Sequence, residues 1–239
     1  MKKSVKECKR KRLNMTLAEL KSIKKSYLQA GQEVAVLKDI NLTVEATEFI
    51  AVTGPSGSGK STLLNILGCL LLPSSGSYFF KGTDIAFFDE KSRALFRNHS
   101  IGFIFQDHKL LPQFTALENI LLPVLAAENS VDNIYRERAD YLLEQTGMEN
   151  LAGRYPGQLS GGESQRIAIC RSLIMNPSLI LADEPTGALD QTTALNIIEL
   201  LNSLRQTENT AVIMVTHARL IADMAEKRYA LEDGALKQW

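Results

Sequence analysis

The sequence predicts an α/β chain with a helical block inserted in it, and three observations predict it. Short apolar runs, "FIAVT" (49–53), "IGFIF" (101–105), "SLILAD" (178–183) and "AVIMVT" (211–216), alternate with stretches of helical spacing. From Thr115 to about Met175, between the second and third runs, the pattern is helical throughout. A glycine-rich stretch, "GPSGSGKST" (54–62), directly follows the first run and opens a helix. Strands and helices alternating on both sides of a helical block make an α/β core carrying a helical lobe.

The elements follow in order. Val34, Val36, Ile40, Leu42 and Val44 alternate as a strand, and "FIAVT" reads as a buried one. A helix starts at Lys60, then come a turn at "LPSSG", a strand "SYFF", a polar helix near "EKSRALFR" and the strand "IGFIF". The helical block is broken at Gly147, Gly153 and Pro156. After it come the strand "SLILAD", a helix from Gln191 to Arg205, "AVIMVT", a short helix and a last strand pair turning at Asp233-Gly234. There is no internal repeat and no low-complexity linker.

Composition bounds the function. At 239 residues and 45% hydrophobic the chain buries one substantial core, as one large domain or two lobes. Lys and Arg balance Asp and Glu at 27 each, but residues 1–25 carry ten against two, so the body beyond them is mildly acidic. That disfavours nucleic acid as a partner, since only a short tail offers phosphate-neutralising charge. The three cysteines, Cys8, Cys69 and Cys170, form no CxxC pair and predict a reducing compartment. The start "MKKSVKECKRKR" lacks the apolar run of a signal peptide, so residues 1–15 are expected to be a basic, disordered tail, with Met15 an alternative start. The greasiest stretch, "LLNILGCLLLP" (63–73), contains Asn65 and is too short to span a bilayer.

Two constellations carry chemistry. Gly54-x4-Gly59-Lys60-Ser61 fits a phosphate-binding loop, whose bare amides curl around an anion while Lys60 reaches outer phosphates and Ser61 holds Mg²⁺. The candidates there are Gly54, Pro55, Ser56, Gly57, Ser58, Gly59, Lys60, Ser61 and Thr62, with a helix N-terminus adding its dipole. Downstream, "LILADEP" ends a strand on Asp183 and Glu184, whose side chains diverge so that one can serve a metal and the other a water. Between them, "LSGGESQR" (159–166) offers a Ser hydroxyl and two glycine amides at a helix start, which alone also reads as a Ser cap.

Leu159-Ser160-Gly161-Gly162-Glu163, in order with the loop and the Asp-Glu pair, resembles the signature of ATP-binding-cassette (ABC) ATPases. The resemblance runs from about Glu19 to Gly234 and implies a P-loop NTPase core. That core is a mixed sheet flanked by helices with an antiparallel β subdomain, plus an α-helical subdomain at about 107–175 inserted in a domain spanning 16–239. It further implies that Ser160, Gly161, Gly162 and Glu163 face the γ-phosphate held by a second subunit, that Gln106 contacts Mg²⁺ and that Asp190 of "GALD" lies across the dimer. His217 would read the γ-phosphate and Tyr27 would stack on adenine, while His99 and His108 carry no role. By the same resemblance ATP and Mg²⁺ are the cofactors. Lys60 offsets phosphate charge, Ser61, Gln106 and (through water) Asp183 hold the metal, and Glu184 orients or deprotonates the attacking water. Thr47 stands where the family commonly has Gly, which puts a turn in doubt and no catalytic group.

"IGFIFQDHKLLPQFTALENILLP" and "LADEPTGALD" are similar to ABC ATPases of the MacB and LolD kind, which includes the FtsE type. That implies a homodimer peripheral to the cytoplasmic face of the cell membrane, driving a permease with a periplasmic or extracellular domain. The alternatives are a soluble ABC ATPase of the cofactor-assembly type and a cell-division-type regulator without cargo.

Overall fold

The structure, a computed structural model, describes residues 16–239 apart from 30 and 129; the expected basic tail lies outside the described residues. Two sheets organise it. Strands β1 (Thr16–Gln29) and β2 (Gln32–Glu45) form a long antiparallel ribbon. β3 (Phe49–Thr53) enters a second sheet, and after helix α1 (Lys60–Leu67) the chain returns to the first through β4 (Ser75–Phe80) and β5 (Thr83–Asp84). The first sheet has the order β2-β1-β4-β5 and is antiparallel throughout.

Helix α2 (Glu90–Ser100), capped by Asp89, leads into β6 (Ile101–Phe105). The next three helices are α3 (Ala116–Glu128), α4 (Asn133–Thr146) and α5 (Gly161–Leu173). The expected break at Gly147 is present, with Gly147 left-handed as the C-cap of α4. A further break precedes α4, where the Asp132 carboxylate accepts from the Tyr135 amide. Then follow β7 (Leu179–Asp183), α6 (Gln191–Thr207), β8 (Ala211–Val215), α7 (Arg219–Ala222), β9 (Lys227–Glu232) and β10 (Ala235–Gln238). The β9–β10 turn falls at Asp233 and Gly234, both at positive φ as a tight hairpin requires. The second sheet has the order β10-β9-β3-β8-β7-β6 and is parallel except for β10.

The second sheet is buried on both faces, which explains its nearly unbroken apolar runs. Successive side chains point to opposite sides. Phe49, Ala51, Ile180, Ala182, Val212 and Met214 pack toward α3 to α6, in one core with Ile120, Leu142, Ile167 and Leu201. Ile50, Val52, Leu179, Leu181, Ile213 and Val215 pack the other way, against α1 and the first sheet, with Ile23, Leu37, Ile40 and Leu63. Parallel pairing also puts the C-terminal ends of β3, β6, β7 and β8 on one edge, where residues 54–59, 106–111, 184–190 and 216–218 emerge together. In open α/β sheets that edge is where ligands bind.

Candidate nucleotide site

The glycine-rich loop is shaped by what its neighbours leave room for. Gly54 has φ 155°, and a Cβ there would stand 2.3 Å from the Leu231 carbonyl oxygen. Gly59, the N-cap of α1, has φ 103°, and its Cβ would press at 3.0 Å on Leu37 and Val36. Only glycine satisfies both positions. The Lys60 ammonium donates to the carbonyls of Gly54 (2.8 Å) and Pro55 (2.9 Å), which leaves one of its three donors for a ligand. No side chain caps α1 and no acid occupies its first turn, so its free amides and dipole are directed at an incoming anion.

A cavity of about 830 Å³ opens beside this loop. It brings together Tyr27, Ser56, Gly57, Gly59, Lys60, Ser61, Thr62, Gln106, Asp183, Glu184 and His217, from five separate stretches of chain. Gly54, Pro55 and Ser58 lie in the loop without lining the cavity, and the Ser58 hydroxyl is buried without a partner. Ser160, Gly161, Gly162, Glu163 and Asp190 do not line it either. Gln29, Val36, Phe105, Asp107 and Lys109 do line it, and the sequence alone marked none of them, because a wall residue needs no particular chemistry. The Tyr27 ring stands at the rim with the Lys25 ammonium 5.3 Å over its face.

Asp183 ends β7, and burial pushes its carboxyl above the ordinary value. The hydrogen bond with Ser61 opposes that shift, the charge of Glu184 adds to it and Lys60 opposes it again. Glu184 turns away, with φ 48°, its amide donating to the Val215 carbonyl at 3.0 Å. Its Oε2 lies 2.8 Å from Nδ1 of the exposed His217 ring. Gln106 packs on Gly187, where an added Cβ would come within 3.0 Å of its Nε2.

The "LSGGESQR" stretch starts α5 as a reciprocal cap. The Ser160 hydroxyl accepts from the Glu163 amide, and the Ser160 amide and hydroxyl both donate to Glu163 Oε2 at 2.7 Å. The Ser160 amide holds the Glu163 carboxyl below its ordinary value. Asp190 likewise caps α6 by accepting from the Thr193 amide at 3.0 Å. His108, expected to carry no role, is half-buried with Nδ1 against Oε1 of the fully buried Gln165.

Comparison with known proteins agrees with this geometry. The ABC transporter family profile matches residues 37–187. The chain is 47% identical over 215 residues to the lipoprotein-releasing system ATP-binding protein LolD 1 of Rhodopirellula baltica, covering 90% of this chain and 93% of that one. It is 44% identical to the macrolide export ATP-binding/permease protein MacB of Syntrophobacter fumaroxidans, covering 93% of this chain but 31% of that longer protein. The dimeric post-hydrolysis structure of the ATP-binding cassette MJ0796 bound to ADP and Pi superposes with a TM-score of 0.84 at 38% identity, covering 93% of this chain and 98% of that one. A phosphate loop, a strand-end Asp-Glu pair, a glycine-bearing helix cap and matches of this extent coincide in one class of protein: the chain belongs to the ABC transporter family, as an ATP-hydrolysing ATP-binding cassette.

Proposed function

We propose that two copies of this chain close around two ATP molecules and that their hydrolysis drives a separate membrane permease, of the kind used for lipoprotein release or export, from the cytoplasmic face. One observation carries the two-copy reading: Lys60, Ser61, Asp183, Glu184 and His217 meet in one cavity, while Ser160 to Glu163 of the same chain stand outside it. A site that needs both sets is completed by the signature of a second copy. In this reading residues 16–239 are one ATPase domain, with α3, α4 and α5 forming the inserted subdomain. No helix among the described residues is long and apolar enough to cross a membrane.

Within the cavity, Lys60 and the loop amides offset phosphate charge and Tyr27 stacks on the base. Ser61, Gln106 and Asp183 present oxygen atoms suited to a hard cation. That set, a hydroxyl, an amide oxygen and a carboxylate, would hold Mg²⁺ rather than a soft metal. Bound there, Mg²⁺ neutralises the charge of the transferring group. Glu184 accepts the proton of the attacking water, and His217 holds that carboxylate and senses the γ-phosphate.

The test is the dependence of hydrolysis on protein concentration, together with retention by membranes containing the candidate permease. A composite site requires the rate per chain to climb with concentration before levelling off. A rate per chain constant down to the dilute limit overturns the two-copy site, and absence of permease-dependent retention overturns the transport role.

A further inference from the structure

His108 and Lys109, consecutive residues just after Gln106, both stand in the left-handed region, with φ 58° and 53°. L side chains adopt that backbone only where their surroundings hold it. The hold comes from α5. Arg171 donates through Nη2 to the carbonyl of His108 and through Nη1 to that of Lys109 at 2.6 Å, one guanidinium fork spanning two successive carbonyls. Nearer the start of the same helix, the buried Gln165 meets the His108 ring. One helix thus grips both the backbone and a side chain of this segment.

The gripped segment is a wall between two spaces. Phe105 and Lys109 line both the nucleotide cavity and a second, largely apolar cavity of about 510 Å³. Gln106 and Asp107 face the first, and Arg171 borders the second. Nothing else clamps both carbonyls among the described residues, and the Asp107–Lys109 ion pair within the segment is exposed to solvent and screened.

We propose that Arg171, assisted by Gln165, is a positioning residue for Gln106: it fixes the left-handed pair His108-Lys109 so that the preceding amide side chain stays in the cavity wall against Gly187. The inference rests on the reading that this cavity takes ATP. Arg171 touches no nucleotide in it and acts through the backbone. A lysine at 171 keeps the charge but replaces the rigid planar fork with a single mobile ammonium on a flexible stem, so it holds the two carbonyls less firmly. A glycine at 108 takes positive φ without strain at one of the two left-handed positions, so it makes up part of what the fork provides.

The experiment compares wild type, Arg171→Lys, His108→Gly and the double variant as full-length protein. It measures ATP turnover, affinity for a fluorescent ATP analogue without Mg²⁺, and amide hydrogen exchange across residues 105–111. Arg171→Lys is expected to lower kcat at least tenfold and to speed exchange in that segment at least tenfold, with nucleotide affinity within twofold of wild type. His108→Gly alone should stay within about threefold of wild-type kcat, and in the Arg171→Lys background it should recover at least half of the lost log rate. Unchanged turnover in Arg171→Lys, a loss of affinity matching the loss of turnover, or no recovery on adding glycine overturns the proposal. If Arg171→Lys does not fold, Gln165→Met is held to the same readouts, with a threefold fall in kcat expected and none overturning it. A wild-type chain without ATPase activity would instead sink the underlying functional reading.

Discussion

Glu184 and His217 leave adjacent parallel strands and meet beyond them, Glu184 Oε2 lying 2.8 Å from His217 Nδ1. The backbone accepts strain to make that contact. Glu184 sits at φ 48° with its amide tied to the Val215 carbonyl, a conformation that sterics disfavour outside glycine. Such strain persists where surrounding structure over-determines it, and it gathers at functional positions.

The first expectation concerns that carboxylate. Glu184→Gln keeps size and hydrogen bonding but removes the base, so hydrolysis should fall by roughly 10²–10⁴-fold. ATP binding should survive, since the Lys60 and Ser61 contacts are untouched. With ATP uncleaved in both sites, the variant should accumulate as an ATP-dependent dimer. Size-exclusion chromatography with Mg-ATP decides it: a variant that binds ATP yet stays monomeric, or that hydrolyses at the wild-type rate, shows the base to be misassigned.

Asp183→Asn should behave differently, improving the fold while harming the site. Burial holds the Asp183 carboxyl above its ordinary range. A carboxyl whose folded pKa exceeds its unfolded one costs stability at neutral pH, and the cost disappears as pH falls below both values. Asparagine carries no charge to desolvate and still accepts from Ser61. The melting temperature should therefore rise at pH 7.5, the gain should shrink with falling pH and vanish below the ordinary carboxyl value of 3.8, and nucleotide binding with Mg²⁺ should weaken. A lower melting temperature at pH 7.5 contradicts the assigned sign.

Ser160→Arg should leave ATP affinity of the isolated chain within about threefold while abolishing turnover, because Ser160 stands outside its own cavity. The substitution also removes the helix cap, at about 1 kcal/mol. Equilibrium unfolding measured alongside nucleotide titration separates that structural cost from the catalytic one. Collapse of ATP affinity without unfolding places the signature in its own chain's site.

The parallel strands were legible in the sequence because burial on both faces leaves them uniformly apolar, as in Phe49–Val52 and Leu179–Ala182. β1 was not. Its pairing shifts between Leu20 and Ile23 and again at Lys25, with Ser22 at φ 50°, so alternation breaks in the middle of a strand carrying Lys21, Lys24 and Lys25. Lys60, Ser61, Asp183 and Glu184 stood out in the sequence because phosphate and metal chemistry would permit few residue types at that spacing, and the structure brings the four into one cavity. His108 was not, since its partner Gln165 lies 57 residues further on and only packing brings the two together.

Thr47 is where the local sequence and the fold conflict most plainly. It occupies the turn between β2 and β3 at φ 62°, and a β-branched residue there is a steric outlier. Two contacts force the turn: the Glu48 amide donates to the Glu45 carbonyl at 3.3 Å, and the Thr47 carbonyl accepts from the buried guanidinium of Arg205, which also pairs with Glu226 at 2.6 Å. Both use backbone atoms, so Thr47→Gly preserves them. Left-handed backbone costs an L residue about 1–2 kcal/mol, more when it is β-branched, while glycine returns about 0.5–1 kcal/mol through its freer unfolded chain. The balance favours glycine by about 1 kcal/mol, or about 2–4 °C in melting temperature for a chain of this size. ATP turnover should not change, since the turn lies away from the cavity lining. Urea unfolding measures it: a midpoint shifted upward at constant slope supports the account, and a midpoint at or below wild type shows that the turn relaxes the strain some other way.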